Sequence, residues 1–103
     1  MKMVIDGKKY NTETATEVAE NARGHRGDFH HYEETLYVSP RGNWFLAGHG
    51  GPMSKYAESC GQNEWRGSAT IIPLTRDEAQ EWLEAAGEVE KLEKYFKDNL
   101  EDA

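Results

Sequence analysis

Glu34-Thr35-Leu36-Tyr37-Val38-Ser39-Pro40-Arg41-Gly42-Asn43-Trp44-Phe45-Leu46-Ala47-Gly48 is the stretch on which the architecture turns. Leu36 and Val38 alternate with Tyr37 and Ser39, a period of two that sends successive side chains to opposite faces of a strand. Pro40-Arg41-Gly42-Asn43 then supplies turn residues, and Trp44 to Ala47 resumes as an apolar strand. The pattern predicts a β-hairpin over residues 34–48, which His49-Gly50-Gly51-Pro52 interrupts.

Working outward, Met3-Val4-Ile5 and Lys8-Lys9-Tyr10 flank Asp6-Gly7, a dipeptide that tolerates the positive φ of a tight primed turn, so a small hairpin opens the chain. Asn11 or Thr12, or the capping-box start at Thr14-Ala15-Thr16-Glu17, leads into Ala15, Val18, Ala19 and Ala22 at i, i+3, i+4 and i+7. That spacing predicts a short amphipathic helix stopped at Gly24 and Gly27. Beyond the central hairpin, Ser54 to Ser59 is expected to form one or two helical turns, and Gly61 to Ser68 a polar loop holding Trp65. Ala69-Thr70-Ile71-Ile72 is a β-branched run whose following Pro73 favours an edge or a strand end.

Thr75-Arg76-Asp77-Glu78 is a capping box, from which a helix starts at Arg76, buries Ala79, Trp82, Leu83 and Ala86, and ends at Gly87. A second helix from about Glu88 to Leu100 carries Val89, Leu92, Tyr95, Phe96 and Leu100 on one side. The expected fold is α+β in a single domain, residues 1–103: a small, mainly antiparallel β-sheet covered by an N-terminal helix and two C-terminal helices.

The chain has 103 residues, 37% hydrophobic and 30% charged, with aromatic residues enough for one core. The longest apolar run is Trp44 to Ala47, and the Met1-Lys2 start leads into Asp6-Gly7 instead of an apolar signal core, so a soluble, cytoplasmic protein is expected. Its one cysteine, Cys60, excludes an internal disulfide. The net charge of −7 is unevenly spread: residues 1–73 hold nine acids against eight Lys or Arg, whereas residues 74–103 hold ten against four. A chain so acidic at its C-terminal end suits a basic partner better than nucleic acid or a membrane surface.

No constellation points to catalysis or to a cofactor. His25, Asp28, His30, His31, His49 and Cys60 lack the spacing of a metal site, because adjacent His30 and His31 diverge on a strand and neither a His-x-x-x-His nor a Cys-x-x-Cys pair occurs. His49-Gly50-Gly51 lacks the Gly-x-Ser-x-Gly elbow of the esterases that it superficially matches, and Arg26-Gly27-Asp28 is a Gly turn. Arg23, Arg26, Arg41, Lys55 and Arg66, with Tyr32, Tyr37, Trp44 and Trp65, supply the ingredients of a single-strand binder, an alternative weakened by local neutrality and by the core's need for aromatics. More distinctive are Asp77, Glu81, Glu84 and Glu88 at i, i+4, i+7 and i+11, four carboxylates that one helical face would stack like spaced phosphates. A solvated outer face is the plainer reading of the same row.

Three stretches carry a resemblance: Val4 to Tyr10, Gly48-His49-Gly50-Gly51-Pro52-Met53-Ser54-Lys55-Tyr56-Ala57, and Ile71-Ile72-Pro73-Leu74-Thr75 through Leu83. Over roughly residues 3–86 the chain resembles a family of short uncharacterised proteins of bacterial genomes and mobile elements. Being small and acidic, it is also similar in type to anti-CRISPR proteins, a resemblance that implies stoichiometric binding and no enzymatic activity. The expected function is a non-enzymatic anti-CRISPR-type inhibitor that binds a basic, nucleic-acid-binding surface of a host CRISPR effector complex, with Asp77, Glu81, Glu84 and Glu88 as partner-binding residues. Neither cofactor nor metal is expected, and the alternatives are a small interaction module of unknown partner and, behind it, a single-stranded nucleic-acid binder.

Overall fold

A four-stranded antiparallel sheet is the centre of the molecule, its strands lying in the order β3 (Thr16–Arg23), β4 (Tyr32–Val38), β5 (Trp44–Gly50) and β8 (Ser68–Leu74). The computed structural model describes residues 1–24, 31–51, 58–61, 64–66 and 68–103. Two ribbons accompany the sheet: β1 (Lys2–Ile5) with β2 (Lys8–Asn11), and β6 (Glu58–Gly61) with β7 (Glu64–Arg66). Two helices, α1 (Arg76–Ala85) and α2 (Val89–Tyr95), and a 3₁₀ turn over Lys97–Asn99 follow the last strand.

The alternation in the central hairpin separates two cores. Leu36, Leu46 and Ile72 stand opposite one another across β4, β5 and β8, as do Val38, Trp44 and Leu74. Their common face packs against Ala79 and Leu83 of α1 and Leu92 and Phe96 beside it. The intervening residues Phe45 and Ile71 face the other way and are covered by Tyr10 of the first hairpin, with Met3 and Ile5 alongside. Tyr10 meets Phe45 edge-on at 5.3 Å, and Tyr37 stacks on the same ring at 5.3 Å. Helices thus cover one face of the sheet and the β1–β2 hairpin part of the other. Pro73 sits one residue from the end of β8, an edge strand, the setting in which a sheet tolerates proline.

The expected N-terminal helix does not form, and the fold is mostly β, with helix among the described residues confined to the C-terminal end. Asn11 does cap, but it organises a single turn: its Oδ1 accepts from the Glu13 amide at 3.0 Å and its carbonyl from the Ala15 amide at 3.1 Å. The chain then enters β3, where the pairing shifts between Glu17 and Ala19. This bulge puts Val18 and Ala19, neighbours in sequence, into the same core. A strand that buries two consecutive residues breaks its period of two, and the resulting spacing is the one that suggested a helix.

Smaller corrections concern boundaries. β5 runs through Gly50, past the interruption expected at His49, and where a polar loop was expected from Gly61 to Ser68 the described residues Gly61, Glu64–Arg66 and Ser68 belong to β6, β7 and β8. The helical turns expected from Ser54 lie outside the described residues up to 57, and Glu58-Ser59 belong to β6. The last helix stops at Tyr95, leaving Val89 and Leu100 exposed while Leu92 and Phe96 are buried. Among the described residues no helix is long and apolar enough to cross a membrane.

Candidate functional site

α1 begins where the side chains of Thr75 and Glu78 cap each other's backbone. The Glu78 amide donates to Thr75 Oγ1 at 3.1 Å, and the Thr75 amide donates to Glu78 Oε1 at 2.8 Å. Asp77 and Glu78 in the first turn also meet the positive end of the helix dipole. With Ala79 and Leu83 wholly buried, the helix has one possible orientation, and Asp77, Glu81 and Glu84 are turned to solvent.

Those three carboxylates, with Gln80, line a shallow concavity of about 280 Å³. Gln80 ties it together: its Nε2 donates to Glu84 Oε2 at 3.0 Å, and its Oε1 accepts from Asn99 Nδ2 at 3.2 Å. The adjacent cation is directed elsewhere, since Arg76 lies 4.5 Å over the Phe96 ring and donates to the Tyr95 carbonyl at 3.2 Å. Among the described residues no ion pair neutralises Asp77, Glu81 or Glu84.

Glu88 does not join them. The Gly87 amide donates to the Glu84 carbonyl and the Glu88 amide to the Leu83 carbonyl, with Gly87 at φ 72°, so a Schellman motif ends the helix. Glu88 then becomes the half-buried N-cap residue of α2. The i+11 spacing that placed it in the row ran across the helix stop expected at Gly87, and the chain changes direction there.

The histidine cluster is partly described. Glu33 and His49 are direct cross-strand partners, and the Glu33 carboxylate lies 3.2 Å from His49 Nε2 and 3.5 Å from His31 Nε2. Glu33 and His49 border an open trough of about 430 Å³ on the sheet face that carries the hairpin, with Glu20, Ala22, Thr35 and Ala47. His25, Asp28 and His30 lie outside the described residues, as does the Arg26-Gly27-Asp28 tripeptide. No group of three or more His, Cys, Asp or Glu side chains suited to a metal ion occurs among the described residues.

Of the single-strand-binding set, Arg26 and Lys55 lie outside the described residues, and the described aromatic members Tyr37 and Trp44 are engaged in packing. Tyr37 is stacked on Phe45, and Trp44 is held in the core by Tyr95 and Phe96 at 5.4 and 5.1 Å. Arg41 instead shares a concavity with Lys8 and Lys9, a grouping that sequence spacing could not reveal because tertiary docking of two hairpins creates it. The buried Glu34 carboxylate was also missed as a structural group; it accepts from Trp82 Nε1 at 2.7 Å and so joins β4 to α1.

No family model matches this chain, and neither a curated protein nor a solved structure is significantly similar to it.

Proposed function

We propose that this protein is a non-enzymatic inhibitor of anti-CRISPR type, which occupies a basic, nucleic-acid-binding surface of a CRISPR effector complex through the acidic face of α1. The observation that supports this reading is the group Asp77, Glu81 and Glu84, held on a capped, packed helix without a neutralising cation among the described residues. Carboxylates fixed in this way exchange charge-assisted hydrogen bonds with Lys and Arg side chains that otherwise hold phosphates, and the helix bears little ordering cost on binding. Glu88 contributes at most from the start of α2, as part of the general negative field.

A panel of purified CRISPR effector complexes, assayed for target-DNA binding, tests the proposal. The double charge reversal Glu81→Lys with Glu84→Lys should weaken inhibition at least about tenfold, whereas Glu13→Lys with Glu17→Lys, an equal change of net charge on the sheet side, should leave it nearly intact. Association should also slow as salt rises, because the Debye length falls from about 10 Å at 0.1 M to about 3 Å at 1 M. Equal inhibition by both double variants, or no inhibition of any complex by the parent, would overturn the reading.

A further inference from the structure

A cationic hollow lies beside the β1–β2 hairpin. Lys8 and Lys9 follow the β1–β2 turn, Arg41 lies in the β4–β5 turn, and together they line a concavity of about 440 Å³. Its other lining residues include Asn11, Thr14, Ser39 and Asn43, and no carboxylate is among them. In a chain of net charge −7, three cations around one hollow are a marked departure from the average surface. None of the three forms an ion pair among the described residues.

The hollow is also built on fixed backbone. Packing of Tyr10 on Phe45 lays the hairpin against the sheet and brings the two turns together. The Ser39 amide donates to the Asn43 carbonyl at 2.9 Å, and the Asn43 amide to Ser39 Oγ at 3.0 Å, which closes the Arg41 turn. On the other wall, Asn11 Oδ1 accepts from the Glu13 amide at 3.0 Å, which holds the Asn11 side chain in place.

From this geometry we infer that the concavity binds a phosphate-bearing anion, with Arg41 supplying a planar fork and Lys8 and Lys9 point charges. Guanidinium matches the tetrahedral oxygens of a phosphate with paired N–H donors, and flanking ammonium groups neutralise the second charge. The volume suits a nucleotide-sized group, given that small-ligand sites occupy about 300–1,000 Å³. The phosphate belongs either to a free phosphorylated small molecule or to the backbone of a single strand. The site goes beyond the α1 proposal and is independent of it, since the hairpin and the helices cover opposite faces of the sheet.

Amide chemical shifts of the full chain, titrated at constant ionic strength with pyrophosphate and separately with a short oligothymidylate, test the site. Saturable shifts should appear at residues 7–14 and 39–43. Arg41→Gln should weaken binding about tenfold without changing the melting temperature, while Lys91→Gln on α2 should have no effect. Binding of pyrophosphate alone identifies a free phosphorylated ligand. Binding of the oligonucleotide with a log–log salt slope of about −2, reduced by about 0.7 in Arg41→Gln, identifies a strand backbone. Absence of saturation by either probe at millimolar concentration, or shifts unaltered in Arg41→Gln, would overturn the inference.

Discussion

Replacing Trp82 by Phe tests the joint between sheet and helix. Trp82 packs at the edge of the core under α1, and its indole N–H donates to a carboxylate, Glu34, that is only 3% exposed. Phe retains most of the ring contact and removes the donor. A hydrogen bond to a charged group contributes about 1.5–3 kcal/mol, and burial of Glu34 keeps water from taking over the indole's place. For a domain of this size that loss corresponds to a fall in Tm of about 10 °C. Trp82→Ala, which also gives up the packing, should cost about 3–5 kcal/mol. Urea unfolding of the parent, Trp82→Phe, Glu34→Gln and the double variant forms a cycle whose coupling energy isolates the bond. If Trp82→Phe melts within about 2 °C of the parent, or the cycle shows no coupling, the bond does not hold α1 to the sheet.

Burial of the Tyr37 phenol, reinforced by the negative charges of Glu17 and Glu20, raises its pKa above the ordinary 10.0. Its neutral form is therefore the one the fold favours, and the associated stability is present below pH 10 and lost as pH rises through the raised value. Thermal melts of parent and Tyr37→Phe should run parallel at neutral pH and diverge above pH 10, with the parent falling faster; parallel curves throughout would contradict the assignment. Thr75→Ala removes the hydroxyl that accepts the Glu78 amide and should destabilise the protein by about 0.5–2 kcal/mol, measured as a lower urea midpoint at unchanged slope. Gly87→Ala meets no atom within 4 Å but must hold φ near 72°, so a loss of about 1 kcal/mol in the same assay is expected from backbone strain alone.

Short-range chemistry made several elements legible in the amino-acid sequence. Asp6-Gly7 adopts the two positive φ values of a primed turn, the 34–48 alternation pairs as a hairpin, and Thr75 with Glu78 forms its capping box, because each depends on residues within a few positions of one another. The same locality explains why Asp77, Glu81 and Glu84 could be placed on one face; Glu88 follows the stop read from the sequence at Gly87, and the row that included it carried the helical period past that stop. Residues 15–22 satisfy a helical spacing on paper, yet β4 offers them a paired edge, and the bulge at Val18 reconciles two adjacent buried residues with a strand. Tertiary pairing outweighs a thin apolar stripe of alanines, whose burial as an isolated helix would return little free energy. The Trp82–Glu34 bond spans 48 positions, and the cationic hollow joins Lys8 to Arg41 across two hairpins; both exist only because the sheet carries a separate core on each face.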